Sequence, residues 1–394
     1  MEHNPQLLCF SCKSAGMYIK RTIEKELANK FFGGRVIIVI GPRQVGKTTT
    51  IFRLLEATGE AVLFLNGDDP MDRKLLTDIN TSKLKELVLG YKYVFVDEVQ
   101  RIPGFGLTAK IISDRIKNIQ LILSGSSAFE IGELMQEPLT GRKWMYKLMP
   151  ISWEEYQGHL GYLEAEKMLE TRLVFGMYPA VIANPMEKQQ ILNELTESYL
   201  FKDVLMFGSI RRPELINKLV RALAWQIGSQ VSNRELAEIT ESDPKTVNRY
   251  LDILEKAGVI FRLPSFSRNH RNELKKSQKV FFTDNGIRNA VIGELEDISI
   301  RNDKGQLWEN FLLSERYKQI LYHKKGAKMY FWRTRQKQEI DYIEEWGKVL
   351  KAYEFKWKAK KSVKFPSTFS HAYKAEEKVI HRENFREFVI PDEK

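Results

Sequence analysis

The chain has 394 residues, 43% of them apolar, which is enough for two or three domains with a core each. It has no apolar run near the roughly 20 residues that span a bilayer and no charged segment leading into an apolar one at its start. A membrane partner and a secretory signal are therefore not expected, and the expected compartment is the cytoplasm. A net charge of +11 and a pI near 9.3 argue for a polyanionic partner, although a lysine-rich solubilising surface gives the same balance.

Cys9 and Cys12 are spaced C-x-x-C, which is half a zinc site, and the six histidines are scattered, so two incidental thiols are expected. Met1 to Gly16 reads as an unstructured leader, which makes Met17 a second candidate start, and Met17 to Lys30 reads as a helix. Val36 to Ile40 is a run of β-branched residues, suited to a strand covered on both faces. Gly41-Pro42-Arg43-Gln44-Val45-Gly46-Lys47-Thr48 then completes G-x-x-x-x-G-K-[ST], with Thr49 next in line. The two glycines let the backbone turn its N–H groups inward around phosphate oxygens, and the following helix adds the positive end of its dipole. Lys47 is placed to reach the β- and γ-phosphates of ATP, and Thr48 to offer its hydroxyl to Mg²⁺.

Ala61 to Asn66 reads as a second strand, GDDPMD as a polar turn and Ser82 to Leu89 as a helix. Tyr93 to Asp97, YVFVD, is an apolar strand ending in a carboxylate at the phosphate edge of a parallel sheet, where Asp97 would hold Mg²⁺. Glu98 follows as the candidate base that polarises the attacking water. Leu121 to Ser124 is a further strand. Either Ser124 or Ser126 would contact the γ-phosphate or its water, with a plain Gly-Ser turn as the alternative. Arg142 is read either as a finger onto the γ-phosphate, in its own chain or in a neighbour within a homo-oligomer, or as a structural ion pair.

The strings GPRQVGKTT, VFVDEVQRIPG, LILSGSSAF and LTGRKW…LMPISWEEY, with GMYPAV at 176–181 and YLFKDVL at 199–205, resemble a prokaryotic branch of the AAA+ ATPases. This branch is related to archaeal-type ATPases that carry a nuclease-like C-terminal domain. The resemblance runs from Met17 to about Trp357. It implies ATP binding and hydrolysis on a parallel sheet in the AAA+ strand order.

Glu187 to Phe207 and Arg212 to Ile227 read as helices. Ser232 to Thr240, with Ser232 as N-cap, and Lys245 to Gly258 read as a helix-turn-helix closed by the strand Val259 to Pro264, a winged-helix pattern. Val247, Tyr250, Leu251 and Leu254 share one face of the second helix. Lys245, Thr246, Asn248 and Arg249 are left for DNA, unless the module only packs between domains. Arg and Lys crowd the stretch after residue 261, which favours nucleic acid as the partner.

Lys279 to Thr283 reads as a strand, with Asp284 and Gly286 in a turn. Leu307 to Leu321 reads as an amphipathic helix carrying Glu309. Strands follow at Lys328 to Arg333, Glu339 to Glu345 and Val349 to Trp357. Glu309 on a helix, Asp341 on a strand, then Glu354-x-Lys356 on the next strand is a PD-(D/E)xK nuclease-like order. Asp341 and Glu354 would bind Mg²⁺ with help from Glu309, and Lys356 would orient the nucleophile. E-x-K is short and also arises by chance on an exposed strand edge. KVIHR and FREFVI read as short strands.

The expected fold is α/β: a P-loop AAA+ parallel sheet with helices on both faces, then a winged helix and a restriction-endonuclease-like α/β domain. The expected divisions are a leader at 1–16, the ATPase domain with a helical extension at 17–207, the winged helix at 208–265 and the nuclease-like domain at 266–394. The expected function is Mg-dependent ATP binding and hydrolysis acting on or with DNA. The alternative is a nucleotide-dependent switch whose C-terminal domain binds DNA or protein without cutting. A metabolic P-loop kinase is disfavoured by the Asp97-Glu98 pair and the long basic C-terminal half.

Overall fold

Five consecutive β-branched residues, Val36–Ile40, form strand β1, and every one of them is buried. A strand with no exposed face belongs inside a sheet covered on both sides. The computed structural model describes residues 17–126, 139–197, 212–267, 278–323, 326–360 and 362–391. Two units are distinguished among them. Residues 17–39, 46–125 and 139–146 make the first, and residues 40–45, 126 and 147 onward make the second.

In the first unit a short helix α1 (Glu24–Ala28) precedes β1. Then come α2 (Lys47–Glu56), β2 (Val62–Asn66), α3 (Pro70–Leu76), α4 (Thr81–Leu87), β3 (Tyr93–Asp97), α5 (Phe105–Arg115), β4 (Gln120–Gly125) and β5 (Lys143–Lys147). The strands form one parallel sheet in the order β2-β3-β4-β1-β5, flanked by helices. The register pairs Asn66 with Asp97 and Val96 with Leu123, so the chain leaves β2, β3 and β4 at one edge. This is the α/β architecture expected for a P-loop ATPase fold.

The second unit continues with α6 (Trp153–Leu160), α7 (Tyr162–Phe175), α8 (Pro179–Ala183), α9 (Lys188–Glu197) and α10 (Pro213–Trp225). A short strand β6 (Gln230–Val231) leads to α11 (Asn233–Ile239), α12 (Pro244–Lys256), β7 (Ile260–Pro264) and β8 (Gln278–Phe282). After α13 (Asn285–Ile292) and the long α14 (Lys304–Tyr322) come β9 (Lys328–Arg333), β10 (Glu339–Trp346), β11 (Val349–Phe355), α15 (Ser367–Ala372), β12 (Glu376–Ile380) and α16 (Arg386–Val389). Strands β6, β8 and β7 form an antiparallel sheet with β8 central. Strands β12, β11, β10 and β9 form a second, C-terminal sheet. Its core gathers Phe266, Trp332, Ile340, Ile343, Leu350, Ala352 and Phe369. A register shift between Ile340 and Ile343 lets both reach this cluster.

Several expectations are corrected. The helix expected over Met17–Lys30 shrinks to Glu24–Ala28, because the Glu24 carboxylate accepts from the Arg21 N–H at 2.5 Å and the Tyr18 hydroxyl at 2.7 Å and holds a turn instead. GDDPMD is not a turn throughout: Asp69 caps α3 and Pro70 occupies its first position. Asp284 likewise caps α13, which begins where a turn was expected. FREFVI is helical rather than extended, since Phe385, Phe388 and Val389 fall inward at helical spacing. Helix α14 is not amphipathic. It is buried on most sides, and its inward charges are paired, Arg316 with Glu344 at 2.7 Å and Lys318 with Glu315 at 2.7 Å. The division at 265/266 falls between β7 and β8, which pair with each other. Met1 to Gly16, with both cysteines, the landmark at 199–205 and the basic stretch 268–277 lie outside the described residues.

Candidate functional site: a phosphate loop and a carboxylate cluster

Strand β1 delivers the chain at Ile40 and α2 takes it up at Lys47. Between them Gly41 packs so tightly that a Cβ there would lie 2.0 Å from the Leu148 carbonyl oxygen, which excludes any side chain. Gln44 and Gly46 adopt positive φ, 58° and 93°, and curl the loop ahead of the helix. The first N–H groups of a helix have no intrahelical acceptors, so the start of α2 is of the kind that can receive an anion. Pro42 and Val45 are buried, Arg43 half-buried, and Gln44 and Thr49 exposed. Lys47 is 5% exposed.

Asp97 ends β3 and is itself buried. The Thr48 hydroxyl donates to its Oδ2 at 2.6 Å. Its Oδ1 accepts from the Ser124 hydroxyl and, at 3.0 Å, from the Glu98 N–H. The register that sets β4 beside β3 brings Ser124, fully buried, to this carboxylate. Its hydroxyl is therefore spent on orienting Asp97 rather than turned to solvent. Glu98 leaves the strand in the left-handed region, at φ 48°, and its carboxylate accepts from Gln100 Nε2 at 2.5 Å. Thr48 and Asp97 are hard oxygen donors of the kind that suit Mg²⁺. Ser126 is half-buried at the end of the described strand segment. Arg142 is exposed and pairs with Asp114 at 2.7 Å.

Two residues here were not read from the sequence. Gln100 orients Glu98, and its only signal is a position two residues on, inside a turn of 3₁₀-helix. Arg21 is buried with its guanidinium beside Gly46: a Cβ on that glycine would lie 3.8 Å from Nη1. Nothing in the local pattern announces it, because the contact is made by a turn that reads as helix.

Within the second unit the loop residue Pro42 meets the end of α12. Gly258 has φ +75°, and a Cβ on it would approach Pro42 Cγ to 2.9 Å. The Gly258 carbonyl accepts the Thr283 hydroxyl at 2.5 Å. Along α12, Val247, Tyr250, Leu251 and Leu254 face inward as the spacing predicts. Lys245, Asn248 and Arg249 are exposed and Thr246 is half-buried. Asp243 caps the helix, accepting from the Lys245 and Thr246 N–H groups at 3.0 Å each. The Thr246 hydroxyl also turns to Asp243, at 2.6 Å, which helps hold the Asp243 carboxyl below its usual range. Asn248 bonds Asn233 at 3.2 Å and Asp252 at 3.4 Å.

Farther along, Asp341 on β10 meets Glu354 and Lys356 at the end of β11, while Glu309 on α14 turns to Lys279. Lys356 Nζ lies 2.7 Å from Glu354 Oε2 and 3.7 Å from Asp341 Oδ2. The Phe355 N–H donates to Asp341 Oδ2 at 2.8 Å. Lys356 stands one residue beyond the strand, tied by its N–H to the Ile380 carbonyl at 2.9 Å. Sequence reasoning missed the centre of this cluster. Lys279, on β8, places its ammonium 3.1 Å from Glu309 Oε1 and 2.6 Å from Glu339 Oε1, and Arg333 reaches the other Glu339 oxygen at 3.3 Å. Burial pushes the Glu309 carboxyl up to about 7, against the pull of Lys279 and with added repulsion from Asp341. Burial alone would lower Lys279, but Glu309, Glu339 and Asp341 together hold it above its ordinary value, so it stays charged.

Comparison with known proteins matches three separate stretches of the chain. An AAA domain model matches residues 33–157. Two domains of unknown function, DUF8612 and DUF4143, match residues 166–297 and 304–392. An uncharacterized protein of Mycobacterium tuberculosis is 27% identical over 79% of this chain and 68% of its own length. An uncharacterized protein of Methanocaldococcus jannaschii is 22% identical over 82% of this chain and 75% of its own. Among solved structures, the Walker-type ATPase PABY2304 of Pyrococcus abyssi aligns with a TM-score of 0.48 at 14% identity, over 70% of this chain and 96% of that one. The stretch 33–157 is thus an AAA-like P-loop domain, followed by two segments whose matching models carry no functional description.

Proposed function

We propose that this protein binds MgATP at Gly41–Thr49 and hydrolyses it, and that it does so on or with DNA. The observation that carries the reading is the 2.6 Å bond between Thr48 and Asp97, a half-buried hydroxyl–carboxylate pair whose threonine is next to the P-loop lysine. Thr48 and Asp97 would hold Mg²⁺, which would supply charge neutralisation at the β- and γ-phosphates. Lys47 holds the phosphates by charge, Ser124 and the Glu98 N–H keep Asp97 in place, and Glu98, steered by Gln100, accepts the proton of the attacking water. Arg21, beside Gly46, adds a second cation near the phosphate seat. Arg142 serves as a finger only if it leaves Asp114.

The DNA reading rests on the net charge and on Lys245 and Arg249 at the start of α12. The capping Asp243 opposes a phosphate at that point, and Thr246 and Asn248 are bonded within the protein, so the reading leans on Lys245 rather than on these two. A homo-oligomer is compatible with this scheme. The deciding experiment is ATP turnover with and without DNA, in wild type and in Glu98→Gln. Turnover stimulated by DNA and lost in the variant is the expected result. Full turnover in Glu98→Gln would remove the base assignment.

One observation favours the second reading for the C-terminal segment, binding without cutting. The helix carboxylate that would complete a nuclease-type set, Glu309, is engaged by Lys279.

A further inference from the structure

We propose that Lys279 is the resident cation of the C-terminal carboxylate cluster. It occupies the seat that a divalent ion would take in a metal-dependent phosphodiesterase, so the cluster is held together without metal. The inference deepens the non-cutting reading and is independent of the P-loop.

The Mg²⁺ implied by the nuclease-like order needs Asp341, Glu354 and Glu309 around one point. Among the described residues, no three His, Cys, Asp or Glu side chains are grouped so as to hold a metal ion. The reason is visible in the donors. Glu309 Oε1 and Glu339 Oε1 both turn to the Lys279 ammonium, at 3.1 and 2.6 Å. Asp341 Oδ2 is taken by the Phe355 N–H, and Lys356 lies over both Asp341 and Glu354.

Lys279 is not a surface side chain that can swing away. It is 2% exposed and sits on the central strand of its sheet, opposite Gln230 on one side and Leu263 on the other. Its ammonium lies 5.6 Å from the Phe331 ring centroid, a second favourable environment for a cation. Glu309 is enclosed as well: a Cβ on Gly228 would lie 2.9 Å from its Oε2. A fixed ammonium between two carboxylates, with Arg333 on the second of them, offsets their charge and repels an incoming divalent ion. The cluster thereby ties β8 to α14 and β10 by charge.

The test counts Mn²⁺ by electron paramagnetic resonance on the full chain without nucleotide. Wild type and Asp341→Asn should bind the same number of ions. Lys279→Ala should gain one ion per chain, and Lys279→Ala/Glu309→Gln should lose that gain. One more ion in wild type than in Asp341→Asn or in Glu309→Gln overturns the proposal. So does a folded Lys279→Ala that gains none. Should Lys279→Ala fail to fold, the wild-type and Asp341→Asn counts decide alone. A failure here leaves ATP turnover at the P-loop untouched, and so separates this inference from the nucleotide reading.

Discussion

Two aspartates mark the contrast between the ends of the molecule. Asp97 is held by neutral donors, the hydroxyls of Thr48 and Ser124 and the Glu98 N–H. Asp341 lies in a cluster crowded with Lys356, Lys279 and Arg333. A carboxylate positioned by neutral donors keeps its full charge for an arriving cation. One that already faces ammonium groups has its charge spent. Type and order of residues look equally catalytic in both regions; the difference lies in who supplies the positive charge.

The comparison breaks most visibly at the P-loop. Lys47→Ala should abolish nucleotide binding measured by calorimetry, and Glu98→Gln should leave binding intact while turnover falls by about 10²–10⁴-fold, the usual worth of a general base. If both variants turned over normally, the first site would be no more active than the second. Next in size is a test of how the second unit uses charge for stability. Arg316→Met strands Glu344, whose carboxylate is bonded by Arg316 at 2.7 and 2.8 Å, and should cost about 3–5 kcal/mol in denaturant unfolding.

A smaller effect sharpens the neutral-donor argument. Ser124→Ala removes one donor from Asp97 and should weaken the site by about 1.5–3 kcal/mol, seen as a raised Mg²⁺ requirement for turnover. Gly258→Ala forces a side chain into positive φ against Pro42 and should cost about 1–2 kcal/mol of stability, with weaker nucleotide binding. If affinity held while the melting temperature fell, the loop would be indifferent to this contact. The smallest expected change is at α12. Lys245→Ala should lower the slope of log K against log salt for DNA binding by about 0.9, one phosphate contact. An unchanged slope would remove Lys245 from the DNA face.

Legibility varied with the range of the interaction. Strand β3 was read to the residue and β1 within its five apolar positions, because a buried parallel strand is a continuous apolar run. The N-cap Ser232 was read correctly, since its bond to the Glu235 N–H spans three residues. The helix α3 was missed although Asp69-Pro70 is a local start signal; the polar composition of GDDPMD masked it. Helix α16 was taken for a strand because Phe388, Val389 and Ile390 are strand formers, and only packing inward at Phe385 and Phe388 made the stretch up to Val389 helical. Glu309 turns to Lys279, whereas the meeting of Lys356 with Asp341 and Glu354 followed from their order on two strands. Lys279 and Glu339 did not, because nothing near Lys279 in the chain says which carboxylates it will meet.

By itself the sequence determined the phosphate loop, its lysine and threonine, and the strand that ends in Asp97. Those are fixed by neighbours a few residues apart and by the burial demands of single strands. Tertiary structure alone decided that Ser124 serves Asp97, that Arg142 pairs with Asp114, and that an ammonium from β8 fills the carboxylate cluster. These pairings act through space, over separations of 27, 28 and 30 residues in the three cases, and no local pattern encodes them.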